Sequence, residues 1–216
     1  MKTRILLTAM MAIGFMAFTF GQEQSSTEMK TLFGDKDSKI DHGGYGAFTV
    51  GYTQIDKQDV ITLGGRAAWV IDHHVAVGLA GKGFINSVYI NEYWEAIGED
   101  GFYLVGGYGG FLIEPIIAPN SPVHVSFPIL IGGGGLALND NTWHDYDWEY
   151  DYYEPYDWDS YFVFEPGVEL EMNLVKFFRV AIGASYRITS NLHMAYVPKN
   201  MMNGWSGNLT FKFGLF

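Results

Sequence analysis

The chain contains no cysteine. That excludes a disulfide framework and a lipid-modified N-terminal cysteine. Cations are also scarce: 13 Lys and Arg stand against 24 Asp and Glu, a formal net charge of −11. Such a balance argues against nucleic acid as a partner. Beyond Phe20 no apolar stretch reaches the roughly 20 residues that a spanning helix needs. If this chain enters a membrane, it must do so as a closed barrel, because only a barrel of strands then satisfies every backbone group within lipid. What the chain has in quantity is glycine, 27 of 216 residues, and aromatic side chains, 17 % of the total. That combination, with little helical periodicity, predicts a β-rich protein.

The first 21 residues read as an export signal. Lys2 and Arg4 precede an uncharged run from Ile5 to Phe20, followed by Gly21 and then polar Gln22–Ser26. A charged start, an apolar middle and small residues at the cut site are what a signal peptidase recognises. The expected organisation is a signal peptide over 1–21, a polar periplasmic leader over 22–42, and one domain over 43–216.

From Gly43 the chain divides into about eight β-like segments, at 43–55, 59–71, 74–85, 101–114, 123–138, 160–173, 177–190 and 206–216. Their connections alternate. Asp72-His73, Ala118–Pro122 and Leu174–Lys176 are short, whereas 86–100, 139–159 and 191–205 are long. Only the 56–58 link breaks the alternation, being short where a long one is expected. Tight turns at one rim and long loops at the other describe an up-and-down membrane barrel.

Side chains on a strand alternate between two faces. In the sixth segment Phe162, Phe164, Val168, Leu170 and Met172 share one face, and Glu165, Glu169 and Glu171 share the other. In the last, Leu209, Phe211, Phe213 and Leu215 alternate with Asn208, Thr210, Lys212 and Gly214. The polar faces hold few charges, of both signs, among small residues, which suits the crowded inside of a narrow barrel. The apolar faces are rich in aromatics, which suits lipid. The expected fold is all-β: an eight-stranded antiparallel transmembrane barrel, with short periplasmic turns and long extracellular loops. A soluble barrel carrying an apolar ligand is the alternative, and it requires the apolar faces to point inward.

On these features the chain resembles the small eight-stranded outer-membrane barrels of Gram-negative bacteria. The resemblance covers about residues 43–216 and includes the aromatic C-terminal strand ending in Phe216. His42-Gly43-Gly44-Tyr45-Gly46 and Gly64-Gly65-Arg66-Ala67-Ala68-Trp69 look like segments of an uncharacterised group of such proteins. The resemblance implies an outer-membrane address, with lipid and the barrel-insertion machinery as partners; it implies no activity. Phe216 departs from the family's usual C-terminal signal, since it is out of phase with Leu215 and Phe213. Pro128 and Pro166 fall inside expected strands. Proline cannot donate to a ladder, so each is expected to mark a bulge.

Two constellations could carry function. The first is the expected lumen, where Arg66, Lys82, Arg179, Arg187 and Lys212 face Glu114, Glu165, Glu169 and Glu171. An eight-stranded ring is just wide enough for side chains to fill. Unpaired ions there are costly, so the expectation is a salt-bridged plug. The second is the 139–159 loop, in which Trp143, Tyr146, Trp148, Tyr150, Tyr152, Tyr156 and Trp158 interleave with acids. As a hairpin it would present an aromatic face and an acidic face, a surface suited to an extracellular glycan or protein. Gly106-Gly107-Tyr108-Gly109-Gly110 and Gly132–Gly135 precede no helix and no Lys-Ser/Thr, so they predict curved sheet and not a phosphate cradle. His73-His74 lacks further ligands at metal-binding spacing. No metal or cofactor is expected. No nucleophile, base and acid set stands out. A lipid-modifying enzyme would need His193 beside a serine hydroxyl and an acid at the loop rim. The expected role is envelope structure or extracellular binding.

Overall fold

The computed structural model describes residues 41–88, 102–140, 157–194 and 197–216. The expected signal peptide and most of the leader lie outside these residues. So do Trp143, Tyr146, Trp148, Tyr150, Tyr152 and Tyr156 of the acidic aromatic loop.

The strands are β1 (His42–Ile55), β2 (Gln58–Ile71), β3 (Val75–Val88), β4 (Phe102–Ile117), β5 (Val123–Ser126), β6 (Ile129–Asp140), β7 (Asp157–Val175), β8 (Phe178–Thr189) and β9 (Gly204–Leu215). All neighbours pair antiparallel, and β9 returns to pair with β1, so the sheet closes on itself. β5 and β6 are two parts of one stave. Both pair with β4 on one side and with β7 on the other. The ring therefore has eight staves, and closure leaves no strand edge to be satisfied in lipid.

The tight turns follow from local chemistry. Asp56 and Lys57 both have positive φ, as do Asp72 and His73. Two consecutive residues of that hand make the type I′ turn, whose twist matches that of the flanking strands. The second turn is closed by the His74 amide, which donates to the Ile71 carbonyl.

The prolines behave differently from the expectation. Neither Pro128 nor Pro166 marks a bulge. Pro128 interrupts the fifth stave, yet the pairings on either side of it keep one register against both β4 and β7. Pro166 lies opposite Ile129, and the β7–β8 pairing resumes beyond it in unchanged register. The backbone near Pro128 is satisfied locally. Phe127 donates to the Pro115 carbonyl, and Gly167 donates to the Pro128 carbonyl. The register shift between β7 and β8 lies instead at Asn173/Val175, beside the inner rim. Several boundaries also move, three of them with consequences for the reading. β1 starts at His42, within the expected leader; β7 starts at Asp157, so Trp158 stands on a strand; and β9 starts at Gly204.

Burial is inverted relative to a soluble barrel. Ile182 is 64 % exposed and Leu215 is 73 % exposed, and Leu63, Trp69, Leu79, Phe111, Phe162 and Phe213 also face outward. Glu114, Glu171, Arg187, Thr210 and Lys212 are at most 1 % exposed. An apolar ligand carrier requires the reverse, so the soluble-carrier alternative is overturned. A sheet with this exterior is stable only in a solvent that does not hydrogen-bond, namely lipid.

Candidate functional site

The inward faces build a lumen in three layers. The lowest, near the tight turns, is apolar. Tyr45, Ala68, Val70, Ala76 and Leu112 pack there with the partly buried Phe216. Phe216 stacks on Tyr45 at 5.8 Å, and the Arg179 guanidinium lies 3.9 Å from the centre of its ring. Its shift out of phase with Leu215 is what turns the last side chain inward, where it closes the periplasmic end.

The middle layer is charged. Arg66 grips Glu169 with both terminal nitrogens, at 2.5 and 3.1 Å. Lys82 donates to Glu165 at 2.6 Å and to Asn208 at 3.1 Å. Lys212 bonds Glu114, donates to Glu171 at 2.5 Å, and lies 3.5 Å from Glu169. Arg179 approaches Glu171 at 3.7 Å. Six of the nine charges expected in the lumen therefore join one network of ion pairs, and Lys82 and Glu165 form a separate pair. Charges from six strands meet here because period-two alternation aims each at the same axis.

Arg187 corrects the expectation. It is fully buried, but among the described residues it has no ion-pair partner. Its cross-strand neighbour Glu165 accepts through Oε1 from Lys82 and from the Ser185 hydroxyl, at 2.6 and 2.5 Å, and its Oε2 has no hydrogen-bond partner. Arg187 instead donates through Nε to the Met202 carbonyl at 2.5 Å, and its guanidinium carbon lies 5.4 Å from the Tyr108 ring centre.

His124 and Tyr45 are members of the layer that alternation alone did not single out. His124 Nε2 lies 3.2 Å from Glu171, and the Tyr45 hydroxyl donates to Glu114. The signal for each was present: both stand on inward positions, but each reads as ordinary strand composition. Glu114, Glu169 and Glu171 come close enough to hold a cation. The Lys212 ammonium already bonds Glu114 and Glu171 and neighbours Glu169, which makes the trio a lysine cage. A cavity of about 20 Å³ remains beside Arg66, Lys82, Glu165 and Asn208. That is room for roughly one water molecule.

The outer layer was not anticipated. The link between β8 and β9 folds back into the barrel mouth. Leu192, Met194, Val197, Met201 and Met202 are buried there against side chains that include Leu104, Leu138 and Tyr161. The link is tied internally by the Leu192 amide to the Lys199 carbonyl and by the Met201 amide to the Pro198 carbonyl. Asn203 ties it to β8, accepting from the Thr189 amide and hydroxyl. Five apolar residues in a loop were the available sequence sign, since a loop exposed to water has no need of them.

His193, at the edge of this plug, points away from it and is mostly exposed. Its amide donates to Asp159 at 2.6 Å, and its ring nitrogen lies 3.6 Å from the same carboxylate. That amide bond, with the Ser160 amide as a second donor, holds the Asp159 carboxyl below its ordinary range. Among the described residues no serine hydroxyl bonds His193, so the trio an esterase would need is not assembled there. At the same rim the Tyr52 hydroxyl and the Gln54 amide both donate to Asp59, which holds that carboxyl low as well. Trp158 stands outward beside the rim, 69 % exposed.

No family model matches the chain, and no curated protein matches it in sequence. Solved structures do match. Neisserial surface protein A aligns with 82 % of this chain and 99 % of its own, at 8 % identity and a TM-score of 0.52. The N-terminal β-barrel domain of Pseudomonas aeruginosa OprF covers the same share at 7 % identity and a TM-score of 0.47. The attachment invasion locus protein Ail of Yersinia pestis does so at 10 % identity and a TM-score of 0.46. The first of these shows the fold. Together with an apolar exterior and a charged interior, it gives the chain the fold of a small transmembrane barrel.

Proposed function

We propose that this protein is a non-conducting outer-membrane barrel that serves as a scaffold for binding outside the cell, through the 139–159 loop. One observation supports the reading: an apolar cluster, a layer of ion pairs and Phe216 pack one after another inside the ring. A barrel without a path has its free chemistry at its rims. Long loops on a rigid scaffold are where binding residues concentrate. This loop carries acids at 140, 145, 147, 149, 151, 154, 157 and 159, interleaved with Trp143, Tyr146, Trp148, Tyr150, Tyr152, Tyr156 and Trp158.

The aromatic positions would supply contact area, about 1–3 kcal/mol for each ring that becomes buried. The partner class is an extracellular glycan or protein. Divalent cations such as calcium would relieve the repulsion among the acids and make binding sensitive to chelator. The test replaces 141–156 with a short Gly/Ser link and assays cell-surface binding of candidate glycans and proteins, with and without chelator. Loss of binding from a barrel that still inserts supports the reading. Undiminished binding overturns it.

A further inference from the structure

The outer mouth contains a mismatch between charge and surroundings. Arg187 is the one inward cation, among the described residues, that no carboxylate pairs. Its Nη2 has no hydrogen-bond partner, and Nη1 only grazes the Tyr108 hydroxyl at 3.4 Å. A buried guanidinium left in this state is costly. Barrel packing does not demand it, since the three-layer fill requires only volume at this position. Arg187 meets an apolar cluster at the Met202 carbonyl and the Tyr108 ring, and that cluster also packs Leu104, Leu138, Tyr161, Val163 and Met201. Its Nε bond to the Met202 carbonyl puts an acceptor oxygen where an anionic head would sit.

We propose that this mouth is a binding site for a long-chain carboxylate, with the plug residues acting as its internal substitute. The chemistry is complementary at both ends. Arg187 offers a planar fork that matches a carboxylate in two-point geometry. An alkyl chain takes the apolar volume that Met201 and Met202 now occupy, and methionine is the side chain that most readily gives way and repacks. The unpaired positive charge selects an anionic head over a neutral one. The site lies inside the barrel and uses none of the residues of the 139–159 loop, so it stands apart from binding by that loop.

The experiment titrates dodecanoate into the full-length protein in phosphatidylcholine nanodiscs, under alkaline conditions that ionise the head. The methionine methyl groups carry a carbon-13 label. Among the described residues methionine occurs at 172, 194, 201 and 202, and Met172 faces lipid. The expected result is a saturable shift of the Met201 and Met202 methyls, with Met172 responding only in proportion to the probe dissolved in lipid. Dodecanol should bind at least about tenfold more weakly, since it cannot use the charged fork. Arg187→Gln should show the same loss, and Arg187→Lys should recover part of it. Shifts confined to Met172, or equal binding of dodecanol, would overturn the site. Because the dodecanol comparison uses the unaltered chain, it decides the matter even if Arg187→Gln does not insert. Tighter binding of dodecyl phosphate than of dodecanoate would overturn the carboxylate assignment.

Discussion

Arg66 and Glu169 lie 103 positions apart in sequence and meet in the centre of the barrel in a two-point ion pair of 2.5 and 3.1 Å. The pair spans the lumen from β2 to β7, strands that do not neighbour each other in the sheet. It therefore ties opposite walls together. Arg66→Ala should cost up to about 3–5 kcal/mol, because it removes the two-point partner of a buried carboxylate and leaves it only the more distant Lys212. The double variant Arg66→Met/Glu169→Leu should recover most of that loss, since it removes both ions. Equilibrium unfolding by guanidinium chloride in lipid vesicles measures each term. A double variant as unstable as the single one would show that the pair is not the source of the effect.

Glycines on the two faces of the wall should respond in opposite ways. A Cβ at Gly134 would meet Tyr161 Cζ at 2.6 Å and Tyr108 Cβ at 2.7 Å, because both rings pack over that bare position. A Cβ at Gly83 meets nothing nearer than 3.8 Å. Gly134→Ala should destabilise by about 1–3 kcal/mol through overpacking. Gly83→Ala should be neutral or stabilising. The same unfolding assay applies, and equal losses at both sites would contradict the assignment of faces.

Ile182 stands on the lipid side of β8, between the inward Ala181 and Gly183. Ile182→Arg should cost about 2–4 kcal/mol if the position lies at bilayer mid-depth. The loss should shrink toward zero for the same change at Trp205, near the outer rim. A flat profile across the two sites would contradict a membrane-spanning orientation.

The link between Asp159 and the His193 amide should fail only in strong acid. The bond holds the Asp159 carboxyl below its ordinary value of 3.8. A group lowered on folding stabilises the folded form above its ordinary pKa and loses that contribution as pH falls through the lowered one. The His193 amide resonance, followed by NMR, should therefore move with an apparent midpoint below 3.8. A midpoint at or above that value would mean that the bond does not form.

The staves, their outward faces and most of the lumen charges were legible because a period of two is a local property. Every second residue from Asn208 to Lys212 points the same way whatever the rest of the chain does. The fates of Pro128 and Arg187 were not legible. Whether a proline forces a bulge depends on which nearby amides still donate around it, here those of Phe127 and Gly167 to the carbonyls of Pro115 and Pro128. Whether Arg187 meets a carboxylate depends on how Glu165 is turned, here with Oε1 toward Lys82 and Ser185 and Oε2 left without a partner, an orientation set by residues distant in sequence. The inward plug was hidden for a similar reason: Leu192, Met194 and Met202 lie in a segment without strand periodicity, where composition marks burial but not direction.

The filled lumen is tested most directly by electrical recording of purified protein in planar bilayers. The layers of apolar plug, ion pairs and Phe216 predict a barrel that inserts and carries no stable stepwise current at neutral pH. A large, long-lived, ohmic conductance from correctly folded protein would contradict it, and with it the assignment of this barrel to binding instead of transport.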